Sequence, residues 1–241
     1  MKNCVEYRSG EIHNIQKANN YSQTHQLPYR FLAYRDFYRL IKNFKNINRI
    51  LDFGSGTGAS THYLFEKGYE VIGVDKSIAM IDKAKLNFPE LHFSNFEKLK
   101  FLPVFDLVFS SFVLFELASK QEIINYLNQA ASVLRDEGIF FGITGSEKLH
   151  QNMQKWLCFD VNYKENFQPN SGDIVKLGLR ELKMEFFDYF WKESDYRECF
   201  KMSNLELIQI HYPIGLPEEP FDWKDELSIS SFVLFLAKKI K

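Results

Sequence analysis

The sequence has little of what marks secreted, metal-binding or membrane-spanning proteins. Its three cysteines, Cys4, Cys158 and Cys199, are odd in number and too far apart for a disulfide framework or a metal-binding pair. We therefore expect free thiols in a reducing compartment and no bound metal. No apolar run approaches the ~20 residues of a membrane span, and the N-terminus lacks the apolar core of a signal peptide. These absences predict a cytoplasmic protein with no membrane partner.

The chain also lacks an excess of charge of either sign. Its 30 Lys and Arg residues are balanced by 31 Asp and Glu residues, for a formal net charge of −1. Because no basic field is available to hold a polyanionic backbone, nucleic acid is disfavoured as a partner. Aromatic side chains are abundant, with 24 Phe, 12 Tyr and 3 Trp among 241 residues. They are candidates to fill one sizeable core or to line a pocket.

The most informative stretch is residues 50–58, where a short apolar run meets glycines at every second position. The order predicts a strand, a tight loop and a helix that begins at Ala59 and ends at Lys67. Glycine lets the backbone turn sharply and lets a ligand approach, and the first N–H groups of the helix point at that ligand. A dinucleotide site has the spacing G-x-G-x-x-G, whereas this loop has G-x-G-x-G with Asp52 at its head. A carboxylate there disfavours a diphosphate and favours a cationic nucleoside ligand, S-adenosylmethionine (SAM).

A second acid supports a nucleoside ligand. Val71 to Asp75 reads as a buried strand, and Asp75 follows Gly58 by 17 residues, near the ~20 expected for an acid that holds a ribose. One carboxylate can accept hydrogen bonds from both ribose hydroxyls. The alternative is that Asp75 only caps the helix that Ser77 opens. Together with the glycine loop, the pattern favours the ribose role.

Three successive segments resemble the motifs of class I SAM-dependent methyltransferases: RILDFGSGTGAST, VIGVDKS and FDLVFSSFVLFEL. The resemblance covers residues 47–145 well and the last forty residues loosely. It implies a doubly wound, Rossmann-like α/β fold, with a mostly parallel seven-stranded sheet, an antiparallel C-terminal hairpin and a helical cover. One domain over residues 1–241 is implied. Its parts are a core of about 47–145 and 190–241, and cover or substrate segments of 1–46 and 146–189.

The resemblance also implies which residues contact the cofactor. Met80 would pack on the adenine, and Ser110 and Ser111 would lie at the switch point of the sheet, beside the methionine part. Asn95 stands where family members usually have an aspartate that accepts from the adenine amino group, so its neutral amide predicts a weaker bond. An N-terminal segment often covers the cofactor, which makes Tyr21 a candidate. The predicted cofactor-binding residues are Asp52, Gly54, Ser55, Gly56, Thr57, Gly58, Asp75, Lys76, Met80, Asn95, Phe96, Ser110, Ser111 and Tyr21.

Hydrophobic periodicity predicts the elements outside these motifs. Residues 29–44 read as one amphipathic helix, and residues 78–87 as a helix that turns Ile78, Ile81 and Ala84 inward. From residue 145 to residue 189 the regular pattern breaks down, and in the resembling family this region often recognises the substrate. Residues 184–191 alternate weakly between polar and apolar and are a candidate strand. The candidate lining residues there are His150, Trp156, Tyr163 and Phe167.

The resemblance implies transfer of the SAM methyl group to a small acceptor, with release of S-adenosylhomocysteine. The sulfonium is an activated leaving group and attack on the methyl carbon is in line, so the protein mainly aligns the reactants. A base is needed only for an acceptor that arrives protonated. Glu116, on the loop after the fourth strand, and His150, whose residue type commonly serves as a general base, are the candidate catalytic residues. The alternatives are a salt-bridged surface acid and a surface histidine.

Other functions stay open from the sequence. The chain lacks the Asn-Pro-Pro-Tyr and Pro-Cys signatures of nucleic-acid methylators, which favours a small-molecule substrate without deciding the acceptor atom. A non-catalytic SAM-binding partner or regulatory protein is one alternative, and a nucleotide-binding oxidoreductase, disfavoured by Asp52, is another. A nucleic-acid methyltransferase would require a basic face at the pocket mouth. Its residues would be Arg30, Arg35, Arg39 and Lys42.

Overall fold

The computed structural model describes residues 5–8 and 15–240, which form eleven strands and seven α-helices. The strands are β1 (Val5–Arg8), β2 (Arg49–Phe53), β3 (Glu70–Asp75), β4 (His92–Asn95), β5 (Phe105–Ser111), β6 (Leu134–Gly145), β7 (Phe159–Asp160), β8 (Ile174–Leu179), β9 (Met184–Tyr189), β10 (Leu205–His211) and β11 (Phe232–Lys239). The helices are α1 (Ile15–Ser22), α2 (Pro28–Tyr34), α3 (Phe37–Ile41), α4 (Ala59–Glu66), α5 (Ile78–Asn87), α6 (Lys120–Val133) and α7 (Glu193–Lys201). Short 3-10 turns connect several of them.

Seven strands form the main sheet in the order β10-β11-β6-β5-β2-β3-β4. Strands β6, β5, β2, β3 and β4 are parallel, and β11 runs antiparallel to both β6 and β10. The predicted Rossmann-like fold with an antiparallel C-terminal hairpin is therefore confirmed. The chain order reverses between β2 and β5, so the carboxyl ends of these strands open onto the ligand crevice of the fold.

The central strands are apolar runs because helices cover both faces of the sheet. Phe109 and Phe141 pack with Phe37 of α3 on one face. On the other face Phe140 and Phe235 pack with the side chains of α6 and α7. This two-sided core holds the strand ends, and the loops that leave them, in place.

The N-terminal cover is helical but more divided than the periodicity predicts. The single helix predicted over residues 29–44 is wrong, because α2 and α3 are separated by a turn at Arg35 and Asp36. The Asp36 carboxylate contacts His211 Nε2 of β10 at 2.6 Å and Arg39 Nε at 3.4 Å. The break therefore lets the chain bring Asp36 against the edge strand.

A second, smaller sheet is formed by the two segments that were expected to provide the cover or the substrate site, residues 1–46 and 146–189. Its order is β1-β9-β8-β7, with β9 antiparallel to β8 and parallel to β1. Only the strand suggested by the weak alternation of residues 184–191 agrees with the prediction. A long hairpin, β8 to β9, supplies a wall beside the crevice without a helical period in its sequence.

One detail of helix α5 also differs from the expectations. Ile78 does not turn inward: it is 64% exposed, whereas Met80 is buried together with Ile81 and Ala84. This difference follows from the cap, since Ser77 Oγ accepts from the Met80 N–H and sets the start of the helix.

Cys158 and Cys199 are free and buried, and Cys4 lies outside the described residues. Within residues 5–8 and 15–240, no helix is long and apolar enough to cross a membrane. The same residues contain no cluster of three or more His, Cys, Asp or Glu side chains that could hold a metal ion.

Candidate active site

The loop between β2 and α4 is held in a shape that only glycine adopts easily. Gly54, Gly56 and Gly58 have φ values of +88°, +53° and +93°. The N–H groups of Gly54 and Ser55 donate to the carbonyl oxygen of Val74 at 2.7 and 3.0 Å, which ties the loop to β3. A Cβ at Gly54 would lie 2.4 Å from Val113 Cγ2. The loop therefore presents bare backbone at the carboxyl end of β2.

Asp75, at the end of β3, lies against this loop. Its Oδ2 accepts from the Gly56 N–H at 2.9 Å, and its Oδ1 accepts from the Ser77 N–H at 2.8 Å. Burial raises the pKa of the Asp75 carboxyl. The carboxylate thus anchors the loop and the start of α5, and it also lines the crevice. The capping role and a ligand-binding role are compatible.

Asp52 lies beneath the loop rather than in the crevice. It is fully buried, and its Oδ2 accepts from Ser60 Oγ and Thr61 Oγ1, both at 2.6 Å. Burial raises the pKa of its carboxyl to about 6. Through these contacts Asp52 holds the first turn of α4 against β2. They thereby fix the direction in which the N-terminus of α4 points.

The crevice contains a cavity of about 310 Å³, here called the main cavity. It lies between the carboxyl ends of β2, β3 and β5, strand β9 and helix α6. The sequence-predicted residues that line it are Tyr21, Gly54, Gly56, Asp75, Lys76, Met80, Phe96, Ser111 and Glu116. Those that lie outside its lining are Asp52, Ser55, Thr57, Gly58, Asn95, Ser110 and His150.

Several residues outside the lining support those inside it. Ser110 Oγ lies 2.8 Å from the Tyr126 hydroxyl, which donates to the Phe53 carbonyl oxygen at 2.6 Å. Thr57 Oγ1 lies 2.6 Å from His25 Nε2. Burial lowers the pKa of His25 to about 3, so this ring covers the loop as a neutral group.

The side chain of Asn95 is engaged in a local hydrogen bond. Its Oδ1 accepts from the Glu97 N–H at 2.7 Å and caps the short 3-10 turn that begins at Phe96. Asparagine competes well for such positions because its side chain reaches the backbone two residues on. Phe96, the next residue, does line the main cavity.

His150 does not line the main cavity. It is 4% exposed, and its Nε2 lies 3.7 Å from Oδ2 of Asp188, which stands between the histidine and the crevice. The other candidates of this region also lie elsewhere: Trp156 is buried in the core at 2% exposure, and Phe167 is 71% exposed on the surface. Tyr163 packs its ring under Lys176.

A second cavity, of about 50 Å³, adjoins the main one. The two share Tyr21, Phe112, Glu116, Phe186 and Asp188. Phe112 has a φ of +61°, an uncommon value for a bulky residue, which turns the chain at the exit of β5. The remaining walls of the second cavity are apolar or aromatic, namely Tyr29, Phe115, Leu149, Phe159, Leu177, Leu179 and Phe232.

Two carboxyl groups lie where the cavities meet. Burial raises the pKa of Glu116 to about 8, with Lys76 opposing the shift and Asp188 and Asp75 adding to it. Burial also raises the pKa of Asp188, and His150 opposes that shift. Burial removes an ionised carboxylate from water and so destabilises its charged form. A positively charged ligand at this junction would stabilise the ionised form of both acids.

Sequence reasoning missed several lining residues. The alternation of residues 184–191 was the available signal for Phe186 and Asp188, because residues two apart in a strand share a face. No signal pointed to the α6 side of the main cavity. That side is lined by Glu122, Asn125, Tyr126 and Gln129.

Comparison with known proteins supports a methyltransferase family. Residues 50–138 match the family model described as a methyltransferase domain. The chain is also 26% identical over 222 residues to methyltransferase 235L of Invertebrate iridescent virus 6, which covers 86% of this chain and 83% of that protein. These matches, together with the fold, support the class I SAM-dependent methyltransferase family that the sequence motifs resemble, and with it SAM as the cofactor.

Solved structures agree with this fold. A SAM-dependent methyltransferase from Clostridium acetobutylicum aligns with a TM-score of 0.64 at 14% identity, over 95% of this chain and 100% of that one. A structure of the Haloferax volcanii Trm112 methyltransferase activator in complex with a methyltransferase aligns with a TM-score of 0.60 at 14% identity. That alignment covers 94% of this chain and 96% of that one. At these identities the likeness shows only that this chain shares the fold of the two methyltransferases.

The raised pKa of Glu116 predicts a pH-dependent stability of the methyltransferase. Because the folded state holds this proton up to about pH 8 and the unfolded state releases it near 4.5, the free energy of unfolding falls as pH rises between those values. Because glutamine does not ionise, Glu116→Gln removes this fall in the free energy of unfolding. We expect equal melting temperatures near pH 4.5 and a melting temperature a few degrees higher for the variant at pH 8.5, from roughly 1–3 kcal/mol. Calorimetry without cofactor measures this.

The control is Glu90→Gln, an exposed carboxylate in the loop between α5 and β4. It should leave the melting temperature unchanged at both pH values. Parallel curves for wild type and Glu116→Gln from pH 4.5 to 8.5 would contradict the prediction.

Proposed function

We propose that the methyltransferase moves the methyl group of SAM to a small-molecule acceptor bound in the second cavity, by in-line displacement. The observation that carries this proposal is the shared wall between the two cavities. Tyr21, Phe112, Glu116, Phe186 and Asp188 border both, so a ligand in the second cavity meets one in the main cavity at these residues.

The residues of the main cavity fit SAM. The backbone of Gly54 and Gly56 gives room for close approach, and a Cβ at Gly54 would already clash with Val113. The Asp75 carboxylate lies where it can accept from ribose hydroxyls. Met80 and Phe96 provide apolar surface for the adenine. Lys76, Ser111 and Tyr21 complete the proposed contacts.

When bound, SAM supplies a methyl group already activated by the sulfonium. The protein then has to hold the acceptor in line and exclude water, and orientation of this kind lowers a barrier by on the order of 7–11 kcal/mol. The aromatic walls of the second cavity suit both tasks. Glu116 is the carboxylate placed to take a proton from the acceptor, and His150 supports Asp188 from behind rather than meeting the acceptor.

The arginines expected for nucleic-acid binding do not support that function. Arg30 is buried, where it donates to Thr24 and Tyr34. Arg35 pairs with Glu219, and Arg39 pairs with Asp36. Since three of the four candidate cations are buried or neutralised, these residues do not make the basic face that a polyanion requires. The cavity lined with aromatic side chains favours a small acceptor, and likewise favours catalysis over a regulatory role.

The test is binding and turnover in parallel. Calorimetry should give binding of SAM and S-adenosylhomocysteine, and transfer of a radiolabelled methyl group should follow with a panel of small alcohols, amines, carboxylates and thiols. Leu177→Phe narrows only the second cavity, so we expect loss of turnover with unchanged SAM affinity. Ile174→Phe, 53% exposed on the same strand, is the control and should keep both. Absence of SAM binding to the wild type would overturn the proposal.

A further inference from the structure

The second cavity is apolar except at one end, and that end is acidic. Among its described lining residues, the charged ones are Glu116 and Asp188, and no lysine or arginine borders it. The remaining polar groups are the hydroxyls of Tyr21 and Tyr29. A carboxylate ligand would be repelled here, because like charges in a poorly hydrated site destabilise one another.

Asp188 is held as a buried acid with an incomplete set of partners. Its side chain is 5% exposed, and Oδ2 has no hydrogen-bond partner among the described residues. The nearest basic group, His150 Nε2, is 3.7 Å away, beyond hydrogen-bond distance, and has no hydrogen-bond partner either. An unsatisfied buried carboxylate is costly, so a donor bound from the cavity side would stabilise the site.

The aromatic walls favour a cation as well. Tyr21 and Phe186, which border both cavities, lie edge to face with ring centroids 6.1 Å apart. The rings of Tyr29 and Phe112 already have the Arg30 guanidinium 5.5 and 5.6 Å from their centroids, so the first pair is the one assigned to a ligand cation. The negative π faces of such rings attract ammonium groups by about 0.5–2 kcal/mol. Acids and rings therefore select the same kind of ligand.

We propose that the acceptor of the methyltransferase is a small primary or secondary amine with an apolar body, bound as its ammonium ion between Asp188 and Glu116. The inference rests on the proposed function and specifies its acceptor. The second cavity, at about 50 Å³, has room for roughly three to five water-sized groups, which limits the apolar body to a short alkyl or comparable group.

The chemical step is balanced by the residues at the junction. The ammonium gives one proton to the Glu116 carboxylate, and the freed nitrogen lone pair forms the N–C bond to the methyl carbon as the S–C bond breaks. The sulfur keeps that electron pair in S-adenosylhomocysteine, and the product leaves as the N-methylated ammonium. Glu116 then returns its proton to water. Asp188 orients the nitrogen throughout.

The binding test uses isobutylamine, isobutanol and isobutyrate, three probes of one carbon skeleton that differ in charge. Each is titrated into the complex with S-adenosylhomocysteine at pH 8.5, where Glu116 is largely ionised and an alkyl amine, like lysine with a pKa near ~10.4, is protonated. Ligand-observed NMR measures the dissociation constants. We expect isobutylamine to bind at least ten-fold more tightly than isobutanol, and isobutyrate not to bind.

Two variants test which carboxylate makes the second cavity prefer an amine over an alcohol. Asp188→Asn should abolish the ten-fold preference for the amine, and Glu116→Gln, which we expect to be more stable than wild type at this pH, should reduce it. Asp136→Asn, exposed at the far end of β6, should retain the preference. Equal affinity for amine and alcohol in the wild type, or a preference that survives Asp188→Asn, would overturn the inference.

Turnover separates this inference from the proposed function. Methylation of isobutylamine with labelled SAM supports both. Methylation of an alcohol, carboxylate or thiol in the panel without methylation of any amine overturns the amine inference and leaves methyl transfer intact. Failure of the wild type to bind SAM overturns the proposed function itself.

Discussion

Asp75→Asn is expected to weaken SAM binding by roughly 5- to 1,000-fold while the protein stays folded. Hydrogen bonds to a charged group contribute roughly 1.5–3 kcal/mol each, against about 1 for neutral ones. Losing the charge beneath the two ribose hydroxyls of the proposed SAM contact therefore costs about 1–4 kcal/mol. The amide also places an NH₂ group against the N–H of either Gly56 or Ser77, both of which donate to the carboxylate.

The choice of asparagine separates ligand binding from loop structure. Asp75→Ala would remove both backbone bonds and release the glycine loop, so a loss of affinity in that variant has two causes. Asparagine keeps the size of the side chain and one acceptor oxygen. Calorimetry of SAM and S-adenosylhomocysteine with Asp75→Asn, and with Asp136→Asn as a matched control, measures the effect. Affinity within three-fold of wild type for Asp75→Asn would show that this carboxylate does not hold the cofactor.

Gly58→Ala should destabilise the protein by about 2–5 kcal/mol and abolish SAM binding. Gly58 has a φ of +93°, and an added Cβ would lie 2.8 Å from Phe88 Cδ2 and 2.9 Å from Phe93 Cζ. A left-handed residue with a Cβ costs roughly 1–2 kcal/mol, and overpacking adds typically 1–3 kcal/mol. Because Gly58 precedes α4, the strain is relieved by moving the loop and the start of the helix.

Gly68→Ala provides the matched control. Gly68 has a nearly identical φ of +87°, but a Cβ there would meet nothing within 4 Å. This variant should show only the backbone cost, about 1–2 kcal/mol, and should bind SAM as the wild type does. Urea denaturation followed by cofactor titration compares the two. Equal destabilisation of both variants would mean that the contact with Phe88 and Phe93 adds no strain.

Local sequence patterns were sufficient to predict the main sheet and one side of the site. Continuous apolar runs such as those of β2 and β5 indicate strands buried on both faces, and their alternation with helices limits the topology. Gly54, Gly56 and Asp75 were found because loop and strand end are adjacent in the chain. Their contacts with SAM stay predictions.

Competition between local and distant partners could not be read from the sequence. Asn95 was expected in the cavity, yet its amide caps the turn at Phe96, because a backbone N–H two residues away is the nearer donor. Asp52 was expected to face the ligand, yet Ser60 and Thr61 hold it under the loop. An acid or amide can satisfy its hydrogen bonds either with nearby protein groups or with a ligand. The backbone geometry decides between the two, and the residue type alone does not encode that geometry.

The sequence by itself determined the mostly parallel, doubly wound sheet, the glycine loop with the acid that anchors it, and the class of cofactor. Each of these depends on residues close together in the chain and on a regular hydrophobic period. Only the tertiary structure decided the second cavity, the small sheet beside it, and the meeting of Glu116 with Asp188. These depend on strand β9 folding back over the crevice, and contacts between segments so far apart in the chain leave no periodic signal in either one.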